Sequence, residues 1–433
     1  MSRISVIYHP VYGRGEVTAT EANGFYLHVQ FSDGRKRKIR RDHVEFEENA
    51  AAVSEPHIPA SHTRSGNKRQ PNDARRIIEA LRMGIVPDTE MSQFTFGRER
   101  EINSLKSWLE EHTDNARFIV GSYGSGKTHL LNYLRTMAIQ EGYAVALVEI
   151  DRQETPFSRP KRIYRQIVQN LQVPIPKKQT RQDFRRFLRR IRREGLLDDH
   201  SYFRYIQSEN DNIWYWIEAC EDVPRPPDYQ HLPALYNYGT AANIYCYLLS
   251  GLGWACTQSQ IGLKGLLLIF DEAETLFTRS TYASERSSYN FLEALIAVAN
   301  NRDGMTEKPK EETSYTFTSR AKNVPFQYRK PSGLKIVLSF TDVSDLRISS
   351  TLRDIEVTDL KPIDDDIFTS IFKEVCQLYC EAYSFPIPDP NFLDRYYDMV
   401  MKKAQTTRHK IKGFVEALDA MRLALIPSQK HND

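Results

Sequence analysis

The sequence predicts an α/β protein in which a parallel sheet carries a phosphate-binding loop, preceded by a small N-terminal all-β barrel. Three observations support this fold class. A strand, a glycine-rich loop, a helix and a second strand follow one another between residues 116 and 151, which is the order of a βαβ unit. Later apolar runs end in acidic or polar residues, as buried parallel strands do. Short β-rich runs with glycine turns occupy residues 1–48.

The composition is that of an ordinary globular protein. The chain has 433 residues, of which 40% are hydrophobic and 27% charged, enough for about two to four structural units. We expect no transmembrane helix, because no run of about 18 apolar residues is present, and no signal peptide. The five cysteines lack zinc or CxxC spacing, which favours a reducing cytoplasm. The net charge of +3 is too small to indicate nucleic-acid binding by itself.

Residues 1–48 are predicted to form a small barrel. An Asp33-Gly34 pair between two alternating runs is a strong hairpin signal. A barrel of this size has a thin core, so it either leans on the rest of the chain or is a very small independent module. Residues 49–72 are rich in Ala, Ser, Pro and Asn without periodicity and predict a linker. The β-rich runs are Val6 to Tyr8, Gly15 to Thr20, Phe25 to Phe31 and Lys36 to Ile39.

After the linker the pattern becomes helical and then alternates. Asp73 caps a helix that ends at Gly84, and "FGRERE" opens a second helix over Glu101 to Glu111. An α/β core is predicted over 73–360, and the helical pattern from about Pro362 predicts a C-terminal helical domain over 361–433. The predicted strands are "ARFIVG" (116–121), "YAVALVEID" (143–151), "GLLLIFDEAE" (265–274), "LKIVLSFTD" (334–342) and "RDIEVTDL" (353–360).

The segment Gly121 to Thr128 matches the phosphate-loop pattern GxxxxGK[ST] in full. Its glycines let backbone N–H groups turn toward phosphate oxygens, and the following helix directs its positive end at the same anion. Lys127 would reach the β- and γ-phosphates and Thr128 would ligate Mg²⁺, so we expect ATP and Mg²⁺ as cofactors. The predicted nucleotide-binding residues are Gly121, Ser122, Tyr123, Gly124, Ser125, Gly126, Lys127, Thr128 and His129.

Two acids at the end of a buried strand predict the hydrolytic half of the site. The apolar run "LLLIF" places Asp271 and Glu272 at its carboxyl end, where ligands bind in open α/β sheets. Asp271 would hold Mg²⁺, and Glu272 would polarise the attacking water. Acids after a strand can also simply cap the next helix, but beside a full phosphate loop the catalytic interpretation is favoured.

Four segments together resemble an AAA+ ATPase of the origin-recognition and initiator type: "FGRERE", "GSYGSGKTH", "IFDEAE" and "TTRHKIKGFVEALD". More narrowly, "ARRIIEALRMGIVP", "FTFGRERE" and "GLKGLLLIFDEAETL" are similar to the ATP-binding protein family associated with BREX phage-defence systems. The resemblance runs from about Asp73 to about Leu425. It implies a P-loop NTPase core over 73–360 and a helical lid over 361–433.

The resemblance implies further roles. Ser339 or Thr341 sits where such ATPases carry a sensor-1 residue. Arg408 sits where the second sensor arginine of the lid lies, and the less favoured alternative is a helix-surface arginine. An arginine finger would come from a neighbouring subunit of a homo-oligomer, with Arg347 and Arg353 as candidates that the sequence does not separate.

Other segments depart from the common core. The N-terminal stretches "HPVYGRGEV" and "VQFSDGRKRKI" are similar to the Tudor-like modules at the C-terminus of UvrD-type helicases, which implies binding of a protein partner or nucleic acid. The aromatic region from Lys177 to about Tyr238, with Trp214 to Trp216 together, and the polar segment Arg302 to Ser332 do not map onto that core.

Two basic stretches are candidate nucleic-acid contacts. In "DFRRFLRRIRR" the apolar residues fall on one helical face, so the arginines are either a solvated face or a contact with phosphates of DNA or RNA. A membrane-surface helix also fits this pattern, but the small apolar face has a better use in the core. The block Arg35 to Arg41 is either a charged hairpin edge or a second contact. The arginines concerned are Arg185, Arg186, Arg189, Arg192 and Arg193.

The leading hypothesis is a cytoplasmic AAA+ ATPase that acts on DNA, or on a partner such as a helicase, in bacterial phage defence, without a membrane. A second hypothesis is a slow nucleotide-dependent switch that assembles on DNA in its ATP state. A third is a signalling ATPase that recruits a partner protein through its N-terminal β unit. ATP turnover with and without DNA would separate the first two.

Overall fold

A computed structural model shows two compact units, Met1–His62 and Thr63–Asp433. Residues 49–70 of the predicted linker, the candidate arginines Arg347 and Arg353 and most of the segment 302–332 lie outside the described residues, whereas residues 71–72 of that prediction begin a helix. The residues that the structure describes are 6–9, 13–21, 26–31, 36–40, 45–46, 71–84, 86–87, 91, 94–175, 180–207, 211–220, 232–235, 241–274, 282–302, 324, 327–341, 352, 354–386 and 389–425.

The N-terminal unit is a five-stranded antiparallel sheet with the strand order β4-β3-β2-β1-β5. Leu27, Val29 and Phe31 alternate along one strand and are buried, as expected of a sheet with one covered face. Gly15 lies against two of them, since an added Cβ would lie 2.4 Å from Val29 Cγ1. The predicted closure into a barrel is not confirmed. The strands are β1 (Val6–His9), β2 (Gly13–Glu21), β3 (Tyr26–Phe31), β4 (Lys36–Arg40) and β5 (Glu45–Phe46).

The larger unit alternates helices and strands. It begins with α1 (Pro71–Arg82), α2 (Glu99–Glu110), β6 (Ala116–Val120), α3 (Lys127–Gln140), β7 (Tyr143–Glu149), α4 (Pro160–Asn170), β8 (Val173–Pro174), β9 (Arg181–Gln182), α5 (Phe184–Arg193) and α6 (Asp211–Ile217). It continues with α7 (Ala241–Thr257), β10 (Gly265–Asp271), α8 (Tyr282–Ala299), β11 (Leu334–Phe340), β12 (Glu356–Asp359), α9 (Asp365–Tyr383), α10 (Pro390–Lys403) and α11 (Thr407–Leu425).

The main sheet has five strands in the order β12-β6-β11-β10-β7, and each neighbouring pair is parallel. The predicted α/β fold with a parallel sheet is therefore confirmed. Strand β11 lies between β6, which leads into the phosphate loop, and β10, which ends in Asp271. Polar residues at the carboxyl end of β11 therefore lie between the loop and the acids.

Helices cover both faces of this sheet. Along β10, Leu268 and Phe270 belong to a large core cluster with α4, α5, α7 and α8. Leu267 and Ile269 belong to a second cluster with α2 and α3. Because both faces are covered, every residue of β10 and β11 is buried, which explains the apolar run of β10 and the apolar residues that surround Lys335 and Ser339 in β11.

A third cluster joins α1 to the C-terminal helices α9, α10 and α11. Arg82 of α1 donates three hydrogen bonds to Asp419 of α11, one from Nε at 3.1 Å and two from Nη2, one to each carboxylate oxygen, at 2.9 Å. Tyr379 Oη donates to the same carboxylate at 2.7 Å. Residues 71–82 thus pack with the helices of the predicted lid, and the domain boundaries at 72/73 and 360/361 stay a prediction.

The aromatic region that the sequence did not place belongs to the large core. Trp214 and Trp216 of α6 are buried, and Trp216 Nε1 donates to the Pro233 carbonyl at 3.0 Å. His200 stacks on Tyr247 of α7, with ring centroids 3.8 Å apart. Burial lowers the pKa of His200 to about 3, so this imidazole is neutral at physiological pH. These aromatic side chains extend the large hydrophobic core cluster on the side of α7.

Candidate nucleotide-binding site

The phosphate loop joins β6 to α3 through two glycines with left-handed backbones. Gly124 has φ +79° and Gly126 has φ +94°, a region that glycine adopts without the steric cost that a Cβ brings. Gly121 N–H donates to Phe340 O of β11 at 3.1 Å, and Ser125 N–H to Ser122 O at 3.1 Å. These bonds fix both ends of the loop. The next residues begin α3, so its first N–H groups point into the loop.

Lys127 reaches back across the mouth of the loop. Its Nζ donates to Gly121 O at 2.7 Å and to Ser122 O at 3.4 Å. It also donates to Thr341 Oγ1 at 3.4 Å. Because Thr341 follows β11, the lysine is tied both to its own loop and to the neighbouring strand. The predicted contact of its ammonium group with the β- and γ-phosphates stays a prediction.

Arg98 supports the loop from below and was not assigned a role from the sequence. It is buried, and its Nη2 donates to the Ser125 carbonyl at 2.6 Å. Nη1 donates to Glu101 Oε1 of α2 at 3.3 Å. Burial lowers the pKa of Arg98, while Glu101 acts in the opposite direction. The arginine of "FGRERE" therefore ties this motif to the phosphate loop through a charge-assisted hydrogen bond.

His129 points away from the loop mouth, toward the segment before α2. Thr95 Oγ1 donates to Met91 O at 2.5 Å and lies 2.8 Å from His129 Nε2. The hydroxyl proton is used, so His129 must donate from Nε2 to the threonine oxygen. Burial, with the charge of Arg98, lowers the pKa of His129 to about 4. His129 Nε2 is thus already hydrogen-bonded to Thr95. The predicted contact of His129 with the nucleotide stays a prediction.

Asp271, Glu272 and Ser339 form a hydrogen-bonded cluster at the carboxyl edge of the sheet. Ser339 Oγ is fully buried and donates to Asp271 Oδ1. Glu272 N–H donates to Asp271 Oδ1 at 2.9 Å and to Ser339 Oγ at 3.1 Å. The serine therefore fixes the carboxylate of Asp271. Within the described ranges, no residue donates a hydrogen bond to the other oxygen, Oδ2.

Glu272 has an unusual backbone and an unusual acidity. Its φ of +55° is in the left-handed region, where non-glycine residues are found mostly at functional sites. Loss of hydration raises the pKa of its carboxyl, and the charges of Asp271, Glu149 and Glu274 raise it further. The attraction of Lys127 acts in the opposite direction. The residue is solvent-exposed, so its carboxyl can meet water and a ligand.

Thr341 and Glu274 complete a connection between the two halves of the site. Thr341 Oγ1 donates to Glu274 Oε1 and receives a hydrogen bond from Lys127. The predicted sensor residues thus divide: Ser339 contacts Asp271, and Thr341 contacts Lys127. Neither arrangement tests contact with a γ-phosphate, so both sensor roles stay predictions.

The C-terminal helices contact the phosphate loop at one point. A Cβ added to Gly124 would lie 2.9 Å from Thr406 Cβ and 3.0 Å from Thr406 Cγ2. Thr406 caps α11, because its Oγ1 accepts from His409 N–H at 3.3 Å. Two residues further on, Arg408 is exposed, and its Nε donates to Gly84 O at 3.3 Å. The proposed second-sensor role of Arg408 stays a prediction.

The residues at this edge fit a magnesium nucleotide. A Cβ added to Gly126 would meet no atom within 4 Å, so there is open space above the loop. Ser125 Oγ is buried without a hydrogen-bond partner among the described residues. Thr128 is exposed, and its hydroxyl and Asp271 Oδ2 are oxygen donors of the kind Mg²⁺ prefers. Within the described ranges no group of three or more His, Cys, Asp or Glu residues could hold a metal ion, and a magnesium that shares phosphate oxygens needs none.

One arginine of the basic helix α5 forms a hydrogen-bonded ion pair within the protein, and others are exposed to solvent. Its apolar face is buried, as the periodicity predicts. Arg185 pairs with Glu218 through two hydrogen bonds, of which Nη2 to Oε2 measures 2.6 Å, and its guanidinium also lies 5.5 Å from the ring of Trp214. Arg192 and Arg193 are exposed. In the N-terminal unit, Lys36–Arg40 forms the edge strand β4.

The fold and the loop define a P-loop nucleotide-binding protein, and comparison with known proteins adds a family. Residues 70–194 match the family model described as "BREX system ATP-binding protein BrxC/D". The resemblance to this family that the sequence indicated is confirmed over that segment. No curated protein sequence matches the chain.

Solved structures of replication initiators are among those similar to this chain. DnaA from Aquifex aeolicus bound to AMPPCP has 12% identity and a TM-score of 0.33, over 76% of this chain and 63% of its own. Replication initiator DnaA bound to AMPPCP and single-stranded DNA has 13% identity and a TM-score of 0.32, over 75% and 61%. Drosophila ORC bound to DNA has 13% identity and a TM-score of 0.38, over 79% and 64%. The chain thus spans less than two thirds of each of these proteins.

Within the part of the chain that the structure describes, no helix has the length and apolar character needed to cross a membrane.

Proposed function

We propose that the protein binds ATP with Mg²⁺, hydrolyses it, and transmits the cycle through its C-terminal helices to DNA or to a DNA-processing partner. One observation carries the proposal. The loop lysine, Thr341, Ser339, Asp271 and Glu272 meet at one edge of one parallel sheet.

The residues divide the work of phosphoryl transfer to water. Lys127 and the N–H groups of the loop bind and orient the triphosphate. Thr128 and Asp271 hold Mg²⁺, which neutralises phosphate charge when bound. Glu272 orients the attacking water and takes up its proton, and its raised pKa makes the carboxylate a better base than an ordinary glutamate. Ser339 keeps Asp271 and the backbone of Glu272 in register.

The setting and the DNA contact extend this proposal. The family match over residues 70–194 supports a role in bacterial phage defence. Our proposal places the protein in the cytoplasm and gives it a helicase or other defence protein as partner. Arg186, Arg189, Arg192 and Arg193 of α5 and the Lys36–Arg40 strand are the proposed contacts with nucleic-acid phosphates. Arg185, already paired with Glu218, would act by positioning the helix. A homo-oligomer would supply an arginine finger.

Two variants test the ATPase. Lys127→Ala should abolish binding of ATP, and Glu272→Gln should bind ATP and not turn it over. Glu154→Gln is a matched control, because Glu154 is an exposed glutamate outside the group of acids that raises the pKa of Glu272, and the turnover of this variant should equal that of wild type. ATP turnover and ATP binding are measured for each, with and without duplex and single-stranded DNA. Normal turnover by Glu272→Gln would refute the assignment of the base, and a turnover rate unchanged by DNA would refute the coupling.

A further inference from the structure

A second anion site is suggested by a cavity on the outer side of α5. The cavity has a volume of about 320 Å³ and shares no residue with the phosphate loop. Short strands β8 and β9 lead into it, and α5 forms one wall. Its lining residues are Ile175, Gln182, Arg186, Arg189, Arg190 and Arg193.

The cavity gathers four arginines, of which three form no ion pair within the described residues. Residues three, four and seven positions apart share a helix side, which brings Arg186, Arg189, Arg190 and Arg193 together. The carboxylate nearest to Arg186, that of Asp183, lies 3.8 Å away. The other three arginines have no ion-pair partner among the described residues. Guanidinium groups crowded in this way repel one another, and an anion between them would remove that cost.

One arginine is held in place by the backbone. Arg190 Nη2 donates to the carbonyls of Gln260 and Ile261, each at 3.0 Å. Its Nη1 is buried and has no hydrogen-bond partner within the described residues. The guanidinium is therefore preorganised with a spare donor, which lowers the entropy lost when a ligand binds.

A buried amide supplies an independent indication of a ligand. Gln182 is only 8% exposed and lines the cavity. Its Nε2 also lacks a partner in the described part of the chain. A buried donor without an acceptor is destabilising, and such groups are rare in native proteins. Two such donors beside one arginine-lined cavity call for acceptor oxygens from outside the chain.

We propose that this cavity binds a phosphate group carried by a nucleotide. The arginines match phosphate oxygens in charge and geometry, while Ile175 and the arginine methylene groups offer an apolar wall for a base. The volume is near the lower end of small-ligand sites, which are roughly 300–1,000 Å³, and suits one nucleotide unit. That unit belongs to a free mononucleotide or to a single nucleic-acid strand. The site does not depend on hydrolysis at the phosphate loop.

The test is calorimetric titration of the full chain carrying Lys127→Ala, which impairs the phosphate loop. The probes are AMP, whose single phosphate gives that loop little to hold, and a short single-stranded oligothymidylate. Arg193→Gln and Gln182→Met are the test variants. Arg76→Gln is the control, because Arg76 is an exposed arginine of α1 that does not line the cavity and has no proposed contact with nucleic acid.

We expect saturable binding of at least one probe, weakened about tenfold by Arg193→Gln and by Gln182→Met, as for loss of one hydrogen bond to a charged group. Arg76→Gln should weaken it by less than about twofold, as for a distant surface charge. Binding of AMP identifies a free nucleotide, and binding of the oligonucleotide alone identifies a strand. Unchanged melting temperatures of the variants exclude unfolding as the cause. Absence of binding by both probes, or equal losses from Arg76→Gln and Arg193→Gln, would overturn the proposal.

Discussion

Replacement of Gly124 by alanine tests the contact between the phosphate loop and the C-terminal helices. Two costs follow from the structure. The backbone at φ +79° disfavours any residue with a Cβ by roughly 1–2 kcal/mol. The new Cβ would also lie 2.9 Å from Thr406 Cβ, so the loop and the cap of α11 must separate by several tenths of an ångström, an overpacking cost of about 1–3 kcal/mol. We therefore expect Gly124→Ala to lower the free energy of unfolding by about 2–5 kcal/mol.

A second substitution separates the two costs. Thr406→Gly removes the Cβ that the new alanine meets, and glycine replaces threonine at a helix N-cap for only a few tenths of a kcal/mol. In the double variant the overpacking cost should disappear, while the backbone cost remains. Thr406→Ala is the matched control, because it keeps the Cβ at 2.9 Å and should restore little.

The measurement is a double-mutant cycle from urea unfolding, with the dissociation constant of ATP determined for each variant. We expect a favourable coupling energy of about 1–3 kcal/mol for Gly124→Ala with Thr406→Gly. ATP affinity should recover in the same direction, because the loop regains its shape. A coupling energy of zero would show that α11 does not rest on the loop in solution, and the proposed transmission through the lid would lose its structural basis.

Three further predictions concern the supports of the site. Arg98→Met removes the charge-assisted bond to Ser125 O, so ATP affinity should fall by about tenfold or more; unchanged affinity would contradict a supporting role. Because the folded state raises the pKa of Glu272 above 4.5, the stability that wild type has at low pH is lost as pH rises through that pKa. The Glu272→Gln variant should therefore have a higher melting temperature than wild type at neutral pH, and this difference should disappear in acid. A difference in melting temperature that does not depend on pH would argue against the raised pKa of Glu272. The pKa of His129 is lowered from 6.5 to about 4, so stability should fall as pH drops between these values, and His129→Asn should reduce that slope in acid unfolding curves.

Much of the nucleotide site could be predicted because its signals are local. The glycines, Lys127 and Thr128 form one contiguous motif with a fixed mechanism, and Asp271 follows an apolar strand whose burial on both faces is visible in the sequence. Parallel strands end at a common edge, so placing both motifs at strand ends already implied that they lie together. The parallel sheet itself is confirmed.

The supporting residues depend on contacts between distant segments, which the sequence does not reveal. Arg98 and Ser125 are joined across two elements, and no periodicity distinguishes this arginine from Arg100 beside it. The quoted motif "FGRERE" did mark the segment, but its resemblance carried no role for one residue. Likewise, the arginines of α5 were visible in the sequence, but their partners were not. Tertiary packing decides that Arg185 pairs with Glu218, that Arg190 donates to backbone carbonyls and that other arginines line the cavity.

The positions of the strands suggest a route by which a change in the bound nucleotide could alter the position of the C-terminal helices. Strand β11 supplies Ser339 to the acids and Thr341 to Lys127, so loss of a phosphate from the loop would free Lys127 to move relative to both. The loop carrying that lysine touches Thr406, the residue that caps α11. Since packed contacts of this kind have a few discrete arrangements rather than a continuous range, a small change at the lysine can select between positions of the helical domain. The same domain holds α1 through Asp419, so the segment entering the core would move with it.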